Sequence, residues 1–152
     1  MIEDNDHIVR YCKPSTLNYD NTEPSPDSFF IRLHKDEEYI SVDWLEFYNE
    51  EVTEAKRVSN CIVALENRDY KPSPTGLLAV LKINKIKKEV INRHQTELSI
   101  YRTDNVTSHT AVSFNNYKDK FFMEKVATTL YDCVLSKYNV KQLREEYLTV
   151  ED

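Results

Sequence analysis

Segments in which apolar and polar residues alternate predict most of the strands. The N-terminal segment 7–12 is short and rich in β-forming residues, which predicts a strand. A second strand is predicted over 28–33, and we expect it to form a hairpin with the alternating segment 39–42. The nearly continuous apolar run 76–81 is typical of a central strand that is covered on both faces. Alternation over 97–102 predicts one further, half-buried strand.

Apolar residues at helical spacing predict three helices and favour a short fourth one. In chain order they are expected from Glu50 to Leu65, over Lys82–Arg93, over 117–138 and over 140–148. Segment 41–48 fits two interpretations, either a continuation of the preceding strand or a short helix capped by Ser41. The polar segments 13–28 and 103–116 are predicted to be long loops, which often carry function.

The order of these elements indicates an α+β protein with a single domain. We expect four to five mostly antiparallel strands packed against three to four helices within residues 1–138. Residues 139–152 are expected to form a short C-terminal helix or an acidic tail. A chain of 152 residues is long enough to bury a core without the help of disulfides or a metal.

Glycine is unusually scarce and excludes several functional classes. The chain has one glycine, Gly76, where an average usage of about 7% would give roughly ten. A glycine-rich phosphate loop, a dinucleotide-binding fingerprint and a Gly-x-Ser-x-Gly nucleophile elbow therefore cannot be present. Gly76 is expected to serve backbone geometry at the start of an apolar strand. Asn, Asp, Ser and Pro must then form the other tight turns.

Charge and cysteine usage indicate a cytoplasmic protein. The net charge of -6 argues against non-specific adhesion to DNA or to an anionic membrane. The chain has no apolar run of 18 residues, so we expect no membrane span. The three cysteines, Cys12, Cys61 and Cys133, have no Cys-x-x-Cys spacing and are expected to be reduced thiols.

Four residues are candidates for catalysis: His7, Arg10, Cys12 and His109. On a strand, Arg10 and Cys12 share a face whereas His7 and Cys12 point apart. Arg10 could lower the pKa of the Cys12 thiol, although a cysteine in a strand is also a common small apolar residue. His109 in a polar loop could act as a general base or bind phosphate, or simply hydrogen-bond to the backbone. No histidine spacing indicates a metal site, and we expect no cofactor.

Two further groups of residues are candidates for binding surfaces. The Lys82–Arg93 helix carries cations that could contact phosphates, unless they merely solvate an ordinary helix face: Lys85, Lys87, Lys88 and Arg93. Trp44, Phe47 and Tyr48 form an aromatic cluster that could anchor a protein partner or pack into the core.

Two motifs resemble a group of small uncharacterised bacterial proteins. The first is Asp-His-Ile-Val-Arg-Tyr-Cys over 6–12, and the second is Ser-Val-Asp-Trp-Leu-Glu over 41–46. Ser108-His109 follows downstream, and the motifs together cover about 40 residues. This chain departs from the group's pattern at Asp43, where Asn is expected, and at Thr110-Ala111. The resemblance implies a bacterial cytoplasmic protein in which these residues belong to a common pattern: His7, Arg10, Cys12, Trp44 and His109.

Three functions remain open from the sequence. The first is a small acidic accessory module that docks on a protein partner through its two long loops and acidic tail, without catalysis of its own. The second is a small hydrolase or phosphate-ligand-binding enzyme in which His7, Arg10 and His109 converge within about 8 Å. The third is nucleic-acid binding through the Lys82–Arg93 helix, which the net charge disfavours. The missing catalytic motif favours the first, and the oligomeric state stays open.

Overall fold

The protein is built around one antiparallel sheet. The computed structural model describes residues 1–48 and 51–149. The six strands, β1 to β6 in chain order, are His7–Cys12, Ile40–Trp44, Leu77–Lys82, Leu98–Arg102, His109–Phe114 and Val134–Asn139. Their order across the sheet is β4-β5-β2-β1-β3-β6, and every neighbouring pair is antiparallel. This confirms the α+β class.

Helices cover both faces of the sheet. The helices α1 to α4 are Glu54–Asn67, Ile83–His94, Lys120–Asp132 and Val140–Leu143. A π-helical turn, Arg144–Leu148, follows α4 directly. Short 3₁₀ turns occupy Pro14–Thr16, Pro26–Phe29, Leu33–Lys35 and Leu45–Phe47.

Strand β3 explains why both faces need cover. Leu77, Ala79 and Leu81 belong to a core cluster that includes residues of α2 and α3, whereas Leu78 and Val80 belong to a cluster with residues of α1 and α4. Successive side chains of a strand point to opposite faces. A continuous apolar run is therefore required where both faces are buried, as the sequence of this strand predicts.

The sheet has six strands and not the expected four to five, because two strands were missed and one predicted segment does not form a strand. Strand β5 lies inside the segment predicted to be a loop, 103–116, and β6 lies at the end of the predicted helix 117–138. Helix α3 ends at Asp132, and the chain enters the edge strand β6 almost at once. The strand expected over 28–33 is wrong: Pro26–Phe29 is a 3₁₀ turn, since proline fixes a helical φ there.

The region around α1 settles another open interpretation. Ser41 does not cap a helix; the strand continues to Trp44 and a 3₁₀ turn, Leu45–Phe47, follows. Helix α1 begins at Glu54, where the Thr53 hydroxyl accepts a hydrogen bond from the Lys56 amide at 3.3 Å. The predicted start at Glu50 lies outside the described residues, as does the end of the acidic tail, 150–152.

Gly76 is needed for close packing and not for a positive φ. Gly76 does not have a positive φ, and among the described residues those with that geometry are Asn21, Asp36, Asp69 and Gln95. A Cβ at Gly76 would lie 2.7 Å from Cε2 and 2.8 Å from Oη of Tyr11. The absent side chain therefore leaves the space that the Tyr11 ring occupies, which corrects the role expected from the sequence.

Within residues 1–48 and 51–149, no helix is long and apolar enough to cross a lipid bilayer.

Candidate functional site

The centre of the sheet contains a gap between β1 and β2. These two strands pair only at Ile8↔Trp44 and Val9↔Asp43. Beyond Val9, β1 continues to pair with β3 while β2 pairs with β5 on its other side. A pocket of about 270 Å³ opens beside this gap, and both strands contribute to its wall.

Cationic side chains dominate the polar part of the pocket wall. Arg10, Lys13, Arg32 and Arg68 line it together with three carboxylates. Arg32 is paired with Glu37 at 2.6 Å and Arg68 with Asp43 at 2.9 Å. Among the described residues, neither Arg10 nor Lys13 forms an ion pair. The pocket therefore carries positive charge in a protein whose net charge is -6.

Arg10 extends from β1 across the gap. Its Nε donates to the Ser28 carbonyl at 2.8 Å and its Nη1 donates to the Ser41 carbonyl at 2.9 Å. The guanidinium thus binds one carbonyl of β2 and one carbonyl of the 3₁₀ turn Pro26–Phe29. Burial lowers the pKa of Arg10 from its usual value, yet arginine keeps its proton near neutral pH. The result is a partly buried cation whose hydrogen-bond partners are neutral carbonyls, while the negative charge of Glu37 acts on it without a direct ion pair.

A buried carboxylate lies beside the pocket at Asp43, which is 3% exposed. Both oxygens accept hydrogen bonds from Arg68, at 2.9 and 3.1 Å, and Oδ1 also accepts one from the Ser108 hydroxyl at 2.8 Å. Burial alone would lower the pKa of Arg68, but hydrogen bonding to Asp43 outweighs it and raises that pKa. The Tyr48 hydroxyl lies 2.9 Å from Ser108 Oγ and completes the network.

His109 lies next to the pocket and contacts two hydroxyls. Its Nε2 is 2.6 Å from Ser41 Oγ, and its Nδ1 is 2.6 Å from Thr103 Oγ1. Thr103 Oγ1 is also 3.2 Å from the carbonyl oxygen of His109 itself. Burial, and then the positive charge of Arg68, lower the pKa of His109 below its ordinary value of 6.5. The ring is therefore neutral at pH 7.

His7 lies at the start of β1, apart from the pocket wall. Its backbone amide and its Nδ1 both contact the carboxylate of Glu46, at 2.8 and 2.6 Å. Among the described residues, no hydrogen bond or ring contact joins His7 to Arg10 or His109. The three residues therefore do not form one directly connected cluster.

Cys12 is fully buried in the core on the α2–α3 side of the sheet. Burial raises the pKa of its thiol to about 11, and Arg10 reduces this effect only in part. A reactive cysteine needs a thiolate near neutral pH. The geometry thus favours the alternative in which Cys12 is a small apolar residue of the core.

Most cations of the Lys82–Arg93 helix are engaged by carboxylates. Lys85 and Arg93 contact Glu89, Arg93 also contacts Asp132, and Lys87 contacts Asp4. Lys88 alone among the four candidate cations forms no ion pair with a described residue. These ion pairs neutralise cations that would otherwise be available to bind the phosphates of a nucleic acid.

The aromatic cluster is divided between core and surface. Trp44 is nearly buried and its indole N–H donates to Asp6 at 3.0 Å, while Tyr48 belongs to the network around Asp43. Phe47 is 39% exposed and, like Trp44, lies close to the guanidinium of Arg102. Of the three, Phe47 is the side chain best placed to meet a partner.

Sequence reasoning missed Ser41, Asp43, Arg68 and Tyr70 as members of this region. One signal was available, since Asp43 places a charge within the otherwise apolar and hydroxylic segment 40–44. A buried charge in a strand needs a partner, and this requirement could have directed attention to a distant arginine.

Within the described part of the chain, no cluster of His, Cys, Asp and Glu is arranged to hold a metal ion. Comparisons with protein-family models, with curated proteins and with solved structures find no match to this chain. The resemblance to a bacterial group stays a prediction, and function is inferred from the geometry of the site.

Proposed function

We propose that the protein binds a small anionic ligand in the pocket beside the β1–β2 gap. The observation that carries this proposal is Arg10, a partly buried guanidinium that lines the pocket and is bonded only to backbone carbonyls. A cation taken out of water without a counter-ion is costly. An anion in the pocket would compensate for that cost.

The chemistry of the guanidinium supports a carboxylate or a phosphate as the ligand group. Its nitrogens lie in a rigid planar fork that matches such oxyanions. In Arg10, Nε and Nη1 have carbonyl partners, whereas Nη2 has no partner among the described residues. Lys13 lines the same pocket and adds a second cation that forms no ion pair with a described residue.

The size and walls of the pocket constrain the rest of the ligand. Its volume of about 270 Å³ lies just below the usual range of ligand pockets, about 300–1,000 Å³. Tyr11 and Tyr70 line it and contact each other edge to face, with ring centroids 5.4 Å apart. A compact ligand with an apolar body and one anionic group fits these features.

The experiment is a titration of the wild-type protein with inorganic phosphate and with benzoate, followed by calorimetry and by thermal unfolding. An anion at a hundredfold excess over its Kd would raise the free energy of unfolding by about 2.7 kcal/mol. Arg10→Gln and Lys13→Ala should weaken binding. The matched control is Arg144→Gln, because Arg144 pairs with Glu66 away from the pocket. Equal binding by Arg10→Gln and Arg144→Gln would contradict the proposal.

The accessory-module hypothesis stays a prediction beside this proposal. An anion-binding pocket is compatible with docking on a protein partner, since the exposed parts of the two segments, 19–23 and 103–106, remain available for contacts. Nucleic-acid binding through the Lys82–Arg93 helix also stays a prediction, and the ion pairs with Glu89, Asp132 and Asp4 do not favour it.

A further inference from the structure

Ser41 and His109 lie on adjacent strands and on the same face of the sheet. Strand β2 pairs with β5 through Ser41↔Ala111 and Asp43↔His109, so Ser41 and His109 are diagonal neighbours. Their side chains meet with 2.6 Å between Ser41 Oγ and His109 Nε2. A nucleophile and its base are recognised by this separation, with the base oriented in turn by a third group.

Thr103 is such a third group, because its contacts determine which ring nitrogen carries the proton. Its single hydroxyl proton can be given to the His109 carbonyl, 3.2 Å away, and its oxygen then accepts from Nδ1–H at 2.6 Å. Nε2 is left with a free lone pair that accepts the proton of Ser41. Only this tautomer makes all three contacts hydrogen bonds.

Ser41 also borders the pocket. It is one of the lining residues, and its own carbonyl accepts the hydrogen bond from Arg10 Nη1. Arg10 extends from the face of the sheet that carries Ile8 and Cys12, whereas Ser41 shares the opposite face with Asp43. A ligand held by Arg10 would therefore have to extend through the gap between β1 and β2 to reach the Ser41 hydroxyl. The pocket wall thus contains a hydroxyl and a cation, and the base, His109, contacts that hydroxyl from outside the wall.

Other nucleophiles near the pocket are worse placed. Ser108 is 1% exposed, and its hydroxyl donates to the carboxylate of Asp43. The Cys12 thiol is fully buried. Ser41 is the hydroxyl that combines access to the pocket with contact to a histidine.

We propose that Ser41 and His109 form a nucleophile–base pair that hydrolyses small anionic carboxylic esters, with Thr103 as the positioning residue. The inference rests on the proposed function, because Arg10 is the group that would hold the substrate's anionic end. It assigns a reaction to a pocket for which the sequence indicated no catalytic motif.

The reaction is an acyl transfer to water in two steps. Ser41 Oγ attacks the ester carbonyl carbon while its proton moves to Nε2 of His109. The C–O bond to the leaving group breaks, and His109 returns the proton to the departing alcohol. Water then attacks the Ser41 acyl ester with His109 again accepting a proton. The bond between the acyl carbon and Ser41 Oγ breaks, and His109 returns its proton to Oγ. The products are the alcohol, the carboxylic acid and free Ser41, and no oxidant or metal is required.

The experiment treats the full-length protein with a fluorophosphonate probe, which bonds to activated serines, and measures intact mass and the modified peptide. We expect one adduct per chain, located on Ser41. Ser41→Ala should abolish it, and His109→Gln should slow its formation about 100-fold or more, the effect of losing a general base. Ser99→Ala is the matched control, since Ser99 is an exposed strand serine of β4, and it should label like wild type.

Thr103 has its own readout. Thr103→Val keeps the shape but removes the hydroxyl that orients the ring, so labelling should slow at least tenfold, and Thr103→Ser should restore it. Thermal unfolding of each variant checks that it is folded. Because the wild-type adduct is the primary readout, a variant that fails to fold does not decide the result.

The role of Arg10 is tested with two synthetic esters, 4-nitrophenyl hydrogen succinate and 4-nitrophenyl acetate. The anionic ester should show at least tenfold higher kcat/KM, and Arg10→Gln should remove that preference.

The inference is overturned if the wild-type protein forms no adduct, if the adduct lies on another residue, or if His109→Gln is labelled as fast as wild type. Phosphate binding without an adduct leaves the proposed function standing and rejects the inference alone. An adduct on Ser41 with no anion binding and no ester preference rejects the proposed function instead.

Discussion

His109 is a side chain whose charge is controlled by the groups packed around it. Its ring is partly buried between two hydroxyls and lies 6.2 Å from the ring of Tyr39. Burial and Arg68 lower its pKa, while Asp43 and Asp104 act in the opposite direction. Asp104 remains charged at about pH 5 and at about pH 7, because hydrogen bonds from Thr107 and Val106 lower its pKa to about 2.

A pH dependence of stability follows from this environment. Since the pKa of His109 is lower in the folded protein than its ordinary value of 6.5, the unfolded chain binds the proton more readily. The stability that His109 contributes is complete above pH 6.5 and is lost as the pH falls through the folded pKa. Urea unfolding of wild type and His109→Gln at about pH 7 and about pH 5 should show wild type losing more stability on acidification. Parallel losses in the two proteins would contradict this explanation.

Gly76 makes a second residue-scale prediction. Gly76→Ala places a Cβ 2.7 Å from the Tyr11 ring, and overpacking of this kind typically costs about 1–3 kcal/mol. In a Tyr11→Leu background the clash is absent, so the same substitution should cost much less. A double-mutant cycle in urea measures the coupling between the two sites. An equal cost in both backgrounds would show that Tyr11 is not the obstacle.

At the scale of elements, Asp43 and Arg68 join the sheet to a helix. Asp43 lies on β2, and Arg68 is the C-cap of α1. Their side chains are 4% and 24% exposed, whereas those of Glu37 and Arg32 are 28% and 33% exposed. The first pair is therefore shielded from water far more than the second.

Removal of the arginine from each pair should lower the free energy of unfolding by unequal amounts. Arg68→Met leaves the buried Asp43 without its counter-ion and should lower the free energy of unfolding by about 3–5 kcal/mol. Arg32→Met breaks the more exposed pair and should therefore cost less, about 1 kcal/mol. Urea unfolding of both variants gives the comparison. Similar losses would mean that water reaches Asp43.

The elements that could be predicted are those with a local signal. The segment of β3 is apolar throughout and that of β1 is rich in β-formers, so both strands were identified with almost correct limits. Strand β6 was missed because it follows α3 immediately and its helical spacing continues to Tyr138. Strand β5 was missed because hydroxyl and amide residues surround it, and its burial depends in part on β2, which is distant in sequence.

The residues of the candidate site also divide into those with a local sequence signal and those without one. Arg10 and His109 were identified because their chemistry is visible in any sequence. Ser41, Arg68 and Tyr70 were not, since their relevance depends on the separation of β1 from β2 and on where α1 ends. Those features arise from packing between segments far apart in the chain, which periodicity does not encode.

At the scale of the whole molecule, the three cysteines report on both core layers. All three are free and buried. Cys12 and Cys133 belong to the core on the α2–α3 side, whereas Cys61 belongs to the core on the α1–α4 side. Because both cores use the same sheet, the two layers are expected to unfold together.

Thiol labelling provides the corresponding test. In the native protein a disulfide reagent should modify less than one thiol per chain, and in denaturing urea it should modify all three. At intermediate urea, mass mapping of pulse-labelled protein should show Cys12, Cys61 and Cys133 becoming reactive with the same midpoint. Earlier exposure of Cys61 would instead show that α1 and α4 detach before the sheet unfolds.

The narrow pairing between β1 and β2 has a mechanical consequence. Two register pairs join these strands, whereas four to six join every other pair of neighbours. The β1–β2 contact is therefore the shortest strand pairing in the sheet, and it joins the three strands β4-β5-β2 to the three strands β1-β3-β6. A ligand held by Arg10 on β1 and by Ser41 on β2 would connect the two halves of the sheet across this short pairing. Ligand release would then be coupled to bending of the sheet between β1 and β2. A force that bends the sheet at this position would also release the ligand.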